Sequence, residues 1–386
     1  MPFPPLVEPV EELGDIDVRR HARQLILAEI GALGQRRLKN GRVLVIGADE
    51  VGAPALGHLA DAGVGVLGIA DGAPLHTWDR CPGRPGPDGR PVPQESRAAA
   101  WAAALRETHP AVTVVTHGTR LDAGTAEAVL GDYDVVLCAS EDPARCYLVD
   151  DVCARLGKPF VWGGVDRLRG RVGVFWDAHG PTYRDLHPAP PAPYFRGMAG
   201  FLEILGGWLS AALAVEAVKL LTGGGEPLVG RITEYDALGG DCRTVPLERD
   251  PTAVRPAGLT AAEPYFGLLS PEAAEAAREH TISVDELKDL LDRDVPLYLV
   301  DVREPDEHAF SDLPGSVLIP KGEFFDGSAA VERLPEDRKV VFFCRMGIRS
   351  AEVLAVARKY GHPDAVHLGG GIVEWAERVD PGMPVY

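Results

Sequence analysis

The chain has 386 residues, 46% hydrophobic and 25% charged, with a formal net charge of −18. That is the composition of globular protein, and the length suggests two or three domains. So acidic a chain is a poor binder of nucleic-acid backbones or anionic membrane surfaces, because both need clustered cations. The start, Met1-Pro2-Phe3-Pro4-Pro5, lacks the basic and apolar regions of a signal peptide. No apolar stretch is expected to reach the roughly 18 residues of a membrane span, and a cytoplasmic location is expected.

In chain order, residues 42–48 form an apolar run bounded by glycine, which predicts a buried strand. A helix is predicted from about Val51 to Ala62, then a second strand from Val66 to Asp71. Further strand signals lie at 112–116, 135–138, 160–163 and 172–175, with helical patterns at 96–107, 123–130 and 143–156. This alternation predicts an α/β fold with a Rossmann-like, mostly parallel sheet. Residues 79–93 are too rich in Pro and Gly for regular structure. The helix expected over 201–222 is apolar on most faces, which suggests burial at a domain centre or a dimer contact. The expected division is a first domain at 1–250, a linker with a short helix at 251–280, and a smaller α/β domain at 281–386.

Six cysteines are present and none forms a C-x-x-C pair, so no structural metal is expected. Cys146 and Cys153 are seven apart, one face of a helix, which points to packing. Cys344 is different. It follows the apolar run Val340-Val341-Phe342-Phe343 and opens the loop Cys344-Arg345-Met346-Gly347-Ile348-Arg349-Ser350, after which a helical pattern begins. A thiol placed there meets unpaired N–H groups and the positive end of a helix dipole, between two arginines, so a thiolate or a persulfide anion would be favoured. The alternative is a core cysteine packed as a small hydrophobe.

This loop resembles the C-R-x-G-x-R active loop of the rhodanese sulfurtransferases. Val300-Asp301-Val302-Arg303-Glu304-Pro305 and Pro314-Gly315-Ser316-Val317-Leu318-Ile319-Pro320 resemble other signatures of that family. Ser311-Asp312-Leu313 departs from its usual Gly-His-Ile. The resemblance implies that Cys344 is the sulfur-carrying catalytic residue and that residues 345–350 form the persulfide loop. It also implies a donor such as thiosulfate or a cysteine desulfurase. A tyrosine-phosphatase loop would place five residues between Cys and Arg, and here there are four, a cradle better suited to one sulfur than to a phosphate.

Residues 1–250 resemble the MoeB/ThiF type of the ubiquitin-activating-enzyme superfamily. The resemblance rests on Arg20-His21-Ala22-Arg23-Gln24-Leu25, Val43-Leu44-Val45-Ile46-Gly47, Lys158-Pro159-Phe160-Val161-Trp162-Gly163 and Tyr183-Arg184-Asp185-Leu186. Together with the rhodanese part, the chain resembles the fused subgroup (MoeZ type). That implies a ubiquitin-like sulfur-carrier protein as partner, ATP and Mg as cofactors if the adenylation site works, and a homodimer.

The nucleotide site departs from its pattern. The glycine loop G-x-G-G-x-G is here Gly47-Ala48-Asp49-Glu50-Val51-Gly52, with two carboxylates where phosphates would approach. Like charges about 4 Å apart cost on the order of 4 kcal/mol at an effective dielectric of 20, about a thousandfold in affinity. Asp71 keeps the place of the ribose carboxylate, with a strand-end turn residue as the alternative. Arg97 takes the place of the family lysine, and Glu141-Asp142 that of the magnesium-binding Asp-Asn. Asp79 and Pro82 replace an Asn and an Arg, and Arg196 replaces the relay cysteine. Arg20 matches an arginine that the family contributes from a partner subunit, or is a solvated surface residue.

These losses lead to the expectation of a sulfurtransferase whose ATP site is lost or weakened, its first domain kept to dock a carrier. The alternatives are a complete adenylyltransferase/sulfurtransferase and a non-catalytic module that binds carriers or regulates a paralogue.

Overall fold

The computed structural model describes residues 3–72, 96–118, 121–140, 143–166, 168–188, 203–251, 271–325 and 328–384. The chain divides into two compact units, Met1–Phe266 and Gly267–Tyr386.

The first unit is a Rossmann-like α/β domain. Its strands are β1 (Arg42–Ile46), β2 (Val66–Ala70), β3 (Thr113–His117), β4 (Val135–Cys138), β5 (Phe160–Asp166), β6 (Arg169–Phe175), β7 (Arg231–Asp236) and β8 (Cys242–Pro246). They lie in the order β3-β2-β1-β4-β5-β6-β7-β8, parallel from β3 to β5 and antiparallel from there to β8. Side chains alternate across a strand, so Val43 and Val45 enter one core and Leu44 and Ile46 the other. Helices cover both faces, Gly52–Ala62, Arg97–Thr108 and Glu203–Thr222 on one and Pro143–Leu156 on the other. That double cover explains why β1 is a continuous apolar run. The strand order reverses between β1 and β4, and in open α/β sheets ligands bind at that point, beyond the strands' carboxyl ends.

Contrary to expectation, one helix is long and apolar enough to cross a membrane: Ile204–Thr222, with a mean hydropathy of 1.6. Leu205, Leu209, Leu213, Ala217, Leu220 and Leu221 are buried, in a helix that packs on β5 and β6, and that burial accounts for the hydropathy. Strands β7 and β8 had no sequence signal, because their pattern is polar and β8 is largely exposed.

The second unit has five parallel strands, β9 (Thr281–Ile282), β10 (Leu297–Asp301), β11 (Val317–Leu318), β12 (Lys339–Phe343) and β13 (Val366–Leu368), ordered β11-β10-β12-β13-β9. Its order reverses between β10 and β12, and the Cys344 loop begins where β12 ends. The helix Val284–Asp292 starts with a capping box between Ser283 and Glu286. The helix Pro271–Glu279, assigned to the linker from sequence, packs on the helix Ile348–Lys359 and so belongs to this unit.

Candidate active sites

Cys344 is only 1% exposed and sits between β12 and the helix Ile348–Lys359. Gly347 makes the turn with φ of +93°, a conformation that disfavours any residue with a Cβ. Its N–H donates to Cys344 Sγ at 3.1 Å, and the Ser350 hydroxyl reaches Sγ at 3.6 Å. The loop is held from behind. Ile372 and Val373 N–H groups donate to the Cys344 and Arg345 carbonyls at 2.9 and 3.1 Å. A Cβ on Gly371 would lie 2.4 Å from those two oxygens, so glycine there permits the close approach.

The two flanking arginines differ. Arg349 is buried and makes a bidentate pair with Glu307, at 2.6 and 2.8 Å. The expectation that it serves the sulfur directly is therefore revised. Its charge is matched by Glu307, and the pair fastens the loop to the helix Pro305–Phe310. Arg345 is half-buried, Ile348 likewise, and Met346 is exposed at the rim. A second buried pair, Arg303 with Asp301, holds the end of β10; Arg303 also donates to the Ser311 carbonyl. That contact uses backbone, so the unusual side chain at 311 leaves it in place.

Sequence reasoning missed Glu307 and His367. His367, on β13, is buried with Nδ1 3.3 Å from Ser350 Oγ and Nε2 2.7 Å from Thr281 Oγ1. Burial pushes its pKa down to about 4, against an opposing hydrogen bond to the Gly347 backbone. No local motif marks it, since it is 23 residues from Cys344 in sequence.

At the carboxyl end of β1, the fold gathers Gly47, Asp49, Gly52, Asp71 and Arg97. Gly47 has φ of +88°, and a Cβ on Gly52 would stand 1.8 Å from the Gly47 carbonyl oxygen. Asp71 accepts the Ala48 N–H at 2.8 Å, and Arg97 Nε lies 3.7 Å from the same carboxylate oxygen. Asp49 does not simply face outward. Its Oδ1 accepts the Val51 and Gly52 N–H groups at 3.2 and 3.3 Å, in the turn that leads into the helix Gly52–Ala62. Arg20 does not join the cluster. It is exposed, and its neighbour His21 packs on Gly63, at the other end of that 11-residue helix, about 16 Å away.

Glu141 and Asp142, with Asp79, Pro82 and Arg196, lie outside the described residues. Among the described residues no group of three or more His, Cys, Asp or Glu could hold a metal.

The neutral state of His367 makes a stability prediction. The folded pKa of about 4 lies below the ordinary 6.5, so the unfolded chain takes up the extra proton between those values. Its contribution is fully present above pH 6.5 and lost as the pH falls towards 4, about 3 kcal/mol in all. Denaturant unfolding of the full chain at pH 7 and 4.5 should show His367→Asn losing less stability on acidification than the native sequence. An equal loss in both would refute this.

The ThiF family profile matches residues 21–255, and the rhodanese-like domain profile matches 283–378. The chain is 40% identical over 394 residues to the probable adenylyltransferase/sulfurtransferase MoeZ of Mycobacterium tuberculosis, covering 100% of this chain and 99% of that protein. It is 30% identical to the adenylyltransferase and sulfurtransferase MOCS3 of Drosophila grimshawi, covering 97% and 88%. Among solved structures, E. coli MccB with MccA-N7isoASN superposes with a TM-score of 0.52 at 16% identity, over 61% of this chain and 74% of that one. That likeness speaks to fold alone. The relatives that match from end to end carry both activities in their names, so the expectation of a lost ATP function gains no support and the complete-enzyme alternative fits better. The chain belongs to the ThiF family and carries a C-terminal rhodanese-like domain, the arrangement of the adenylyltransferase/sulfurtransferases.

Proposed function

We propose that this protein activates the C-terminal carboxylate of a small ubiquitin-like sulfur carrier with ATP and then delivers sulfur to it from Cys344. The observation that carries the reading is Cys344 Sγ at a strand end, facing the Gly347 N–H and the Ser350 hydroxyl. With thiosulfate as donor, the Cys344 thiolate attacks the outer sulfur and sulfite leaves, giving Cys344–S–S⁻. The Gly347 N–H and Ser350 hydroxyl offer hydrogen bonds to Sγ while it is the attacking thiolate, as in an oxyanion site. The terminal sulfur then attacks the carrier's acyl-adenylate and AMP leaves, so the carrier carbonyl is joined to Cys344 through two sulfurs. An external thiol attacks Cys344 Sγ and breaks that S–S bond, which frees the carrier thiocarboxylate. A second thiol clears the resulting mixed disulfide. A cysteine desulfurase persulfide can replace thiosulfate in the first step. Thiol chemistry of this kind suits a reducing compartment, so we place it in the cytoplasm.

In the first unit, Asp71 and Arg97 stand where a nucleotide at the sheet's switch point would meet a carboxylate and a cation. ATP use is implied by membership of the ThiF family. One observation favours the second reading, a weakened ATP site: Asp49 already occupies the Val51 and Gly52 N–H groups.

We also propose a homodimer. Ile16, Val18, Ile26, Leu27, Leu33 and Val215 are exposed, and a groove of about 450 Å³ beside them is lined by Ile30, Ala211, Ala214, Val215 and Val218. A second copy would cover this apolar surface. It would also bring an Arg20 that is remote from its own glycine loop towards a partner's.

Four measurements test these readings. Intact mass of the full chain after thiosulfate should show one added sulfur in the native protein and none in Cys344→Ala; no adduct in either sinks the sulfurtransferase half. Carrier-dependent exchange of pyrophosphate into ATP should be detectable, and Asp49→Gly should tighten ATP–Mg binding about tenfold by calorimetry, since it removes a competing carboxylate. No exchange in native protein, restored in Asp49→Gly, would favour the weakened site. Val215→Glu should convert a dimer to a monomer in sedimentation velocity, and a native monomer would overturn the dimer.

A further inference from the structure

The Ser350 hydroxyl that touches Cys344 Sγ is itself in reach of His367, and the sulfur chemistry above makes no use of that histidine. Four groups stand in line: Cys344 Sγ, Ser350 Oγ at 3.6 Å, His367 Nδ1 at 3.3 Å from Oγ, and Thr281 Oγ1 at 2.7 Å from Nε2. They come from four different elements, the end of β12, the helix Ile348–Lys359, β13 and β9. Beyond them, Thr281 donates its hydroxyl proton to the Ala277 carbonyl.

Proton accounting assigns the resting state. Thr281 has one hydroxyl proton and gives it to Ala277, so towards His367 it can only accept. Nε2 therefore carries the imidazole proton, and Nδ1 of the neutral ring is an acceptor towards Ser350; the Gly347 backbone contact that opposes the lowered pKa is one the protonated ring would make. Beside a neutral Cys344 thiol, S–H can point at Ser350 Oγ and the hydroxyl proton at Nδ1 or at the Gly347 carbonyl, which is 3.0 Å away.

We propose that His367 is a positioning residue for the reactive sulfur, the centre of a hydrogen-bond wire from Cys344 through Ser350 to Thr281 whose direction reverses when the sulfur becomes an anion. In the reversed state Ser350 donates to Sγ, His367 Nδ1–H donates to Ser350, and Thr281 donates to Nε2. One proton leaves the wire for solvent, and Thr281 is exposed on the edge strand. Both states leave the histidine neutral, and in both every member of the wire has a partner. Chains of this kind polarise one another, so the reversed wire strengthens the hydrogen bond that the anion receives. The proposal rests on the reading that Cys344 is the working sulfur.

The surroundings fit a neutral imidazole. Elements packed on β13 are β9, β12 and the helix Ile348–Lys359. Besides Cys344 they carry Lys339, Arg349, Glu352, Arg358 and Lys359. Lys339 is exposed, Arg349 is paired with Glu307 and Glu352 with Lys321. None of these contributes to the lowered pKa of His367, whose causes are burial and, against it, the Gly347 backbone.

The test titrates the Cys344 thiol of the full chain by its rate of alkylation with iodoacetamide against pH, with the modified cysteine identified by peptide mass. Neither sulfur donor nor carrier is needed. His367→Leu breaks the wire and should move the profile to higher pH, with alkylation at pH 7 slower by about threefold to tenfold, the worth of one hydrogen bond. His367→Asn keeps a group that can donate or accept and should restore most of the rate. Thr281→Val, an exposed and nearly isosteric change, should shift the profile in the same direction by less. It keeps the test decisive if His367→Leu does not fold. An unshifted profile in Thr281→Val and in folded His367→Leu, or equal slowing by Asn and Leu, overturns the wire. A shifted profile in a protein that never gains sulfur from thiosulfate would leave the wire standing and remove the sulfurtransferase reading instead.

Discussion

A parallel strand that ends against a helix N-terminus must give the helix's first N–H groups an acceptor, and both sites in this chain are solutions to that demand. A buried N–H left without one costs about 1–3 kcal/mol. In the second unit the acceptor for Gly347 N–H is Cys344 Sγ, the atom that would do the chemistry. Both groups that reach Sγ are thus fixed by the backbone and the first turn of the helix. In the first unit the acceptor for Val51 and Gly52 is the Asp49 carboxylate, supplied by the chain itself. The same backbone demand is met by a thiol sulfur in one unit and by a carboxylate in the other.

Two of the arginines near the sulfur have carboxylate partners. Arg349 is matched by Glu307 and Arg303 by Asp301, and both pairs are buried. Removing one partner of such a pair strands the other charge, so each pair pins its loop. The Gly347 N–H and the Ser350 hydroxyl, which reach Cys344 Sγ, are neutral groups. Neutral donors suit a sulfur that must be thiol, thiolate and persulfide in turn, because they do not hold it permanently in the anionic form. The hydroxyl can turn its proton away, whereas an arginine cannot.

Where sequence reasoning went astray, side-chain direction was the reason. Sequence places Asp49 and Glu50 where a phosphate would approach, yet Asp49 folds back onto the amides beside it. Sequence places Arg349 beside the sulfur, yet its guanidinium reaches Glu307, 42 residues away in sequence. The helix Ile204–Thr222 escaped the count of apolar length, and its hydropathy is spent on the face of the sheet. Strands β7 and β8 carry polar residues, β8 at the sheet's edge, and pairing with neighbouring strands is what defines them.

Local pattern by itself determined the alternating strands and helices, the glycine turns, and the thiol at residue 344. Each depends on burial of a short run or on backbone angles that neighbours in sequence dictate. Tertiary structure alone decided which groups face that thiol. Ser350 is near in sequence, but His367 and Thr281 arrive on separate strands, and their meeting depends on the order β12-β13-β9. A hydrogen bond needs two atoms within a few ångströms of each other. No spacing along the chain reports a distance across a sheet.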